Sequence, residues 1–152
     1  MARSPLEVAE LIRQRLADAD MVGFIDLFAA DGVFEYPFGF PGAPSVLRGR
    51  DQIKAHLVES RRDVRSLIEV EDVALTAYET TDPEVVIFST EITGTTLATG
   101  KPFRFTSGVG IVTVRDGEVV AYRDFTNVLG AARITGGQGA IAAGLAAELQ
   151  QA

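Results

Sequence analysis

From residue 66 to about residue 128 the apolar residues of this chain alternate with a period of two. Four segments carry the pattern, 66–78, 84–97, 102–115 and 118–128. Turn residues bound each one: Thr81-Asp82-Pro83, then Thr99-Gly100-Lys101, then Asp116-Gly117. Asp-Gly tolerates positive φ at both central positions, so Val114 and Val119 are predicted to flank a tight hairpin. Four strands joined in this way form an antiparallel meander. Strands this long must bend, and Gly94, Gly108 and Gly110 are placed to supply the bulges.

Ahead of the sheet the spacing is helical. Ser4-Pro5 followed by Glu7 is a start signal: a capping serine, proline at the first helical position, and an acid three residues after the cap. Leu6, Ala9, Ile12 and Leu16 continue at helical spacing, predicting a helix over 5–19. Asp20 caps a second, short helix with Val22, Phe24, Ile25 and Phe28 on its inner side, ended by Asp31-Gly32. Val33–Tyr36 reads as a short strand stopped by Pro37. Residues 37–47 hold three prolines and two glycines and read as loop. A third helix is predicted over 50–63. Ile53, His56, Leu57, Ser60 and Val64 share one face of it; Arg50, Lys54, Glu59, Arg61 and Arg62 fall mostly on the other. The Gly/Ala-rich stretch 129–152 is either a tail or, from Ala140 to Gln151, a helix. The fold expected is α+β: a cone-shaped, curved antiparallel sheet covered by three N-terminal helices, forming one domain over 1–152. Helices across one face of a bent sheet leave a core at the closed end and a cavity at the open end.

Composition narrows the function. The net charge is −7, which disfavours nucleic acid and anionic membrane, since both reward a basic patch. No cysteine and a single histidine exclude Cys-ligated metals and multi-histidine sites, and no loop has Ca²⁺-binding spacing. No apolar run is long enough to span a bilayer, and the first residues lack an apolar signal core, so a cytoplasmic location is expected. The stretch Gly137-Gln138-Gly139-Ala140-Ile141-Ala142 loosely resembles a dinucleotide fingerprint. It lacks the strand-to-helix setting and the later acid that such a site needs. No cofactor is expected.

Three groups of residues carry a family likeness: Leu27-Phe28-Ala29-Ala30-Asp31-Gly32-Val33, Arg48-Gly49-Arg50-Asp51-Gln52-Ile53 and Tyr122-Arg123-Asp124-Phe125. They resemble the superfamily built on the nuclear transport factor 2 cone, and within it the SnoaL-like branch of polyketide cyclases, limonene epoxide hydrolases and ketosteroid isomerases. The likeness covers about residues 6–128. It implies a homodimer and a small-molecule pocket, and says little about the reaction, because the fold hosts many activities. The isomerase pattern is not met: Tyr36, Ile12 and Gly110 stand where that family keeps an aspartate, a tyrosine and a second aspartate. The epoxide hydrolase triad is incomplete, since Arg104 is followed two residues on by Thr106. The helix Gly49–Ser60, Thr81-Asp82-Pro83 and Arg123-Asp124-Phe125-Thr126-Asn127 are similar to the phenazine biosynthesis A/B proteins. That resemblance implies pocket roles for His56, Ser60 and Asp124, with an acid one methylene shorter than the family's glutamate.

The residues themselves allow two readings. His56 and Ser60 lie one turn apart and point inward with Ile53 and Leu57, so the imidazole is placed for proton transfer near pH 7. It is equally a core histidine bonded to a backbone carbonyl. Asp124 shares a face with Val120, Tyr122 and Thr126, where a carboxylate is costly unless paired. It is either salt-bridged to Arg104 or Arg123, or a base with a raised pKa. Tyr36 is a wall residue or a donor to a substrate carbonyl. Phe28, Phe34, Phe105, Tyr122 and Arg104 complete the candidate substrate-binding set, and Glu91 is undecided between solvent and a partner. The expected function is cofactor-free isomerisation, cyclisation or condensation of a small apolar carbonyl or polycyclic metabolite, with His56 and Asp124 catalytic. The alternative is a ligand-binding or structural dimer module without turnover.

Overall fold

The computed structural model describes residues 1–152. Three helices come first, with two strands among them: α1 (Pro5–Ala17), α2 (Met21–Ile25), β1 (Phe28–Glu35), β2 (Val46–Arg48) and α3 (Arg50–Arg65). The meander follows as β3 (Ile68–Glu79), β4 (Val85–Thr96), β5 (Pro102–Arg115) and β6 (Glu118–Thr126). Two more helices, α4 (Val128–Thr135) and α5 (Gln138–Gln151), end the chain. The six strands form one curled sheet in the order β2-β1-β6-β5-β4-β3.

The start of α1 is capped as expected: the Ser4 hydroxyl accepts from the Glu7 amide and the Glu7 carboxylate accepts from the Ser4 amide. Asp20 caps α2. The end of α2 departs from the sequence reading. It stops at Ile25, and the residues expected to continue it, 28–31, are strand. The reason is tertiary. Leu27 accepts from the Val119 amide, and β1 runs parallel to β6 through a register shift between Phe28 and Val33. Gly32 makes this possible, because a Cβ there would meet the Val119 carbonyl at 2.9 Å. Loop 37–47 also contains a short pairing that was not predicted: Val46–Arg48 add to β1, extending the sheet.

The four long strands and the Asp116-Gly117 hairpin stand as predicted, both turn residues having positive φ. The strands bend at register shifts that leave Glu71, Ser107 and Val120 unpaired opposite their neighbours. The first two lie beside Gly94 and Gly108. The Val120 bulge turns Val119, not Val120, toward the buried side. Helices α1 to α3 cover the inner face of the sheet. Val8, Ala9 and Ile12 of α1, Phe24 and Ile25 of α2, and Ile53 and Leu57 of α3 pack there against Phe28, Phe34, Val86, Phe88, Val112 and Val119. Burial at this scale contributes about 1.5–3 kcal/mol for each large apolar side chain, which is ample to hold the cone closed. The tail is helical. Asn127 caps α4, and Gly136, at φ 76°, ends it.

Candidate functional site

Tyr122 is the hub of the inner face. Its ring stacks on Phe34 at 4.8 Å and on Phe28 at 6.1 Å, and meets the edges of Phe24 and Phe88 at 6.0 and 5.9 Å. Strand pairing fixes the central contact, since Phe34 and Tyr122 are direct neighbours across β1 and β6. Tyr36 follows two residues after Phe34, on the same face, and its ring meets Phe34 at 4.8 Å. His56 of α3 lies edge-to-face against Tyr36 at 5.8 Å. Thus a chain of rings runs from the core through Tyr122, Phe34 and Tyr36 to the histidine.

Asp124 follows Tyr122 on that inner face and is half-buried. Neither expected salt bridge forms: Arg104 pairs with Glu91 at 2.7 Å and Arg123 with Glu35 at 3.4 Å. Burial pushes the Asp124 carboxyl above the ordinary aspartate range, opposed in part by Thr126 and by the charge of Arg61. Burial, joined by the nearby Asp124 charge, also raises both tyrosines, Tyr122 the more deeply buried. Both phenols therefore remain protonated and able to donate at neutral pH. Two glycines of β5 lie next to the acid. Gly110 pairs with Asp124 across the ladder, and a Cβ on Gly108 would lie 3.3 Å from Asp124 Oδ1.

The polar atoms of this cluster are unspent. The hydroxyls of Tyr36 and Tyr122 and the His56 ring make no hydrogen bond within the chain, and none is sealed from solvent; the Asp124 carboxylate has no cation partner, only the Thr126 hydroxyl beside it. The alternative of a core histidine bonded to a carbonyl is not what the structure has. Ser60 is half-buried one turn beyond His56, its hydroxyl donating to the Leu57 carbonyl. Two candidates stand apart. Phe105 meets only Phe103 among the rings, at 6.0 Å, beyond the Ser107 bulge. Arg104 is exposed and held by Glu91, which also answers where Glu91 belongs.

Sequence reading missed Arg61. Its place on α3, one turn after buried Leu57, brings it to the edge of the inward face. It is half-buried there, and its charge acts on Tyr36, Tyr122 and Asp124 together. The i+4 spacing from Leu57 was the available signal. Two surface recesses open elsewhere. One, of about 70 Å³, lies between the start of α1 and the β3–β4 hairpin; the other lies on the outer side of α3, along Asp51, Val58 and Arg62. The rings around Tyr122 fill the inner end of the cone, so the polar cluster lines its rim. No group of three or more His, Asp or Glu is arranged to hold a metal, and no helix is long and apolar enough to cross a membrane.

The SnoaL-like domain model matches residues 8–122. The chain belongs to the SnoaL-like family. A PhzA/B-like protein of Pseudomonas aeruginosa, PA3332, itself uncharacterised, is 33% identical over 115 residues, covering 75% of this chain and 77% of the relative. The uncharacterised protein YesE of Bacillus subtilis is 30% identical over 127 residues, 81% and 83% of the two chains. Among solved structures, a Bacillus subtilis protein provisionally described as an isomerase superposes with a TM-score of 0.74 at 27% identity, over 88% of this chain and 94% of that one. The SnoaL-like match covers the aromatic hub, Tyr36, His56 and Arg61, and ends two residues short of Asp124.

Proposed function

We propose that this SnoaL-like protein is a cofactor-free acid–base enzyme acting on a small apolar carbonyl or polycyclic metabolite, by isomerisation, cyclisation or condensation. The observation that carries the reading is the state of Asp124: a half-buried carboxylate with no ion pair, its pKa raised by burial, in electrostatic reach of two tyrosine hydroxyls that bond nothing in the chain. Burial moves such a carboxylate toward the pH at which general bases work best. In the proposed step Asp124 removes a proton from the carbon next to a substrate carbonyl. The C–H electron pair moves into the enolate, and the Tyr36 and Tyr122 hydroxyls donate to its oxygen as charge develops there. Return of the proton from Asp124 to another carbon completes isomerisation; in ring closure the enolate carbon attacks a second carbonyl, the π pair moves to that oxygen, and the alkoxide takes the proton from Asp124. His56, against the Tyr36 ring, is placed to pass protons between the rim and the reacting group.

The half-buried Tyr36 ring, backed by buried Phe34, is the apolar surface beside the cluster that suits a flat hydrophobic substrate. The test is solvent exchange. Aryl and polycyclic ketones incubated in D₂O with the protein are followed by NMR at the carbon next to the carbonyl. Exchange catalysed by wild type, and reduced at least ~100-fold in Asp124→Asn, is expected. Equal exchange by wild type and Asp124→Asn would defeat the assignment. Native mass measurement of the freshly purified protein identifies any small molecule that it retains.

A further inference from the structure

Arg61 is the one half-buried arginine left without a partner. The six ion pairs of the chain use Arg13, Arg15, Arg50, Arg104, Arg115 and Arg123. Arg65 donates instead to the Ala19 carbonyl. The other arginines with no side-chain partner, Arg3, Arg48, Arg62 and Arg133, are exposed, where water satisfies them at little cost. Arg61 is half-buried on α3, one turn beyond Leu57 and five residues beyond His56, and its charge reaches Tyr36, Tyr122 and Asp124. Asp124 is nevertheless not within ion-pair distance. A guanidinium offers five donors in a fixed planar fork, and none of these five is used.

No carboxylate of the chain pairs with that fork, Asp124 included. The Tyr36 and Tyr122 hydroxyls, within reach of its charge, are free to donate. A neutral apolar substrate would leave the fork unmet in a half-desolvated place. A carboxylate would meet it with two parallel charge-assisted bonds, the geometry for which arginine is suited and lysine is not. The overall charge of −7 makes the point sharper, because a local cation is what would draw an anion to this rim.

We infer that the rim selects an aromatic or polycyclic substrate that carries a carboxylate, with Arg61 as the residue that binds it. This deepens the acid–base reading and rests on it for the location of the site, though not for the chemistry. The carboxylate docks at the α3 edge while the ring system lies over Tyr36 toward Asp124. Substrate charge then decides affinity, and Arg61 decides which end of the substrate faces the base.

The test compares arenecarboxylates of one to three rings (benzoate, 2-naphthoate, anthracene-2-carboxylate) with their primary carboxamides, by calorimetry on wild type, Arg61→Ala, Arg61→Lys and Asp124→Asn. The expected result is that at least one carboxylate binds wild type about tenfold or more tightly than its amide. Arg61→Ala abolishes that preference, Arg61→Lys restores part of it, and Asp124→Asn retains it. Circular dichroism of Arg61→Ala is expected to match wild type, since no hydrogen bond or ion pair within the chain is lost. Equal affinity for acid and amide in wild type, an unchanged preference in Arg61→Ala, or binding of no member of the series each overturns the inference. Loss of deuterium exchange has a different meaning: if Arg61-dependent carboxylate binding holds while wild type exchanges no faster than Asp124→Asn, the acid–base reading fails alone.

Discussion

Gly110 and Asp124 face each other across the β5–β6 ladder, and the missing side chain of Gly110 is what gives the Phe88 ring its place. A Cβ at 110 would lie 2.7 Å from that ring. The ring is fully buried and packs perpendicular to Tyr122, so it has nowhere simple to go. Gly110→Ala is therefore expected to destabilise the protein by about 1–3 kcal/mol through overpacking. A melting curve should show a fall of several degrees, on the order of 2–10 °C for a chain of this size. A melting temperature within a degree of wild type would mean that the inner face is looser than its geometry indicates.

The pH dependence of stability isolates Asp124. Its folded-state pKa is raised above the unfolded value, with burial as the main cause. Between those two values the folded protein holds a proton that the unfolded chain has lost, so this group's contribution to stability is greatest at low pH and is lost as pH rises through the folded pKa. Asn cannot ionise and pays no such cost. The melting temperature of Asp124→Asn minus that of wild type should thus be near zero at pH 4 and grow toward pH 7. A difference that is flat with pH, or that shrinks toward neutrality, would show that the carboxylate is stabilised in place by a partner.

Tyr122 separates packing from polarity. Its ring is 6% exposed and touches four phenylalanines, whereas its hydroxyl bonds nothing in the chain. Tyr122→Phe should change stability by less than about 1 kcal/mol, because no protein hydrogen bond is lost. Tyr122→Ala should cost about 3–5 kcal/mol through the cavity it leaves. Denaturant titrations of the two variants check both figures. A cost above about 2 kcal/mol for the phenylalanine variant would reveal a structural role for the hydroxyl.

Arg104 supplies the contrast within the candidate set. It is exposed on the outer side and its ion pair with Glu91 is open to water. Exposed pairs are worth about 0–1 kcal/mol. Arg104→Ala should therefore leave both melting temperature and ligand affinity close to wild type. A tenfold loss of affinity, measured with the same arenecarboxylate probes, would return Arg104 to the site.

These contrasts show which links were legible in the chain. Period-two alternation and Asp116-Gly117 announced the meander because each strand buries one face and the turn chemistry is local. His56 and Asp124 were legible as polar residues on otherwise apolar faces. The end of α2 was not, because Phe28 to Asp31 carry helix-like spacing and only pairing with distant β6 makes them strand. Arg61 was passed over for a related reason. A long side chain at the edge of a helix stripe can turn either way, and helical spacing alone does not fix which. The Val120 bulge likewise shifted the inward face by one residue, which alternation alone does not reveal.

The last helix invites a deletion. No side chain of α5 is buried, and Leu145 and Leu149 stand exposed, Leu149 at 80%. An isolated helix of this length is marginal even when rich in alanine. Its visible tether to the rest of the chain is Gly144, whose absent Cβ would lie 2.7 Å from Pro41 in the loop after Tyr36. Ending the chain after Gly137 removes almost no buried apolar surface, so the melting temperature should fall by no more than about 3 °C. The loop 37–45 should loosen at the same time, seen as faster amide exchange confined to it, since Phe38 against Phe125 would remain as its main aromatic anchor. A large loss of stability on this deletion would carry a different message. The Ile141, Leu145 and Leu149 stripe would then have to be covered in solution by surface that this single chain does not provide.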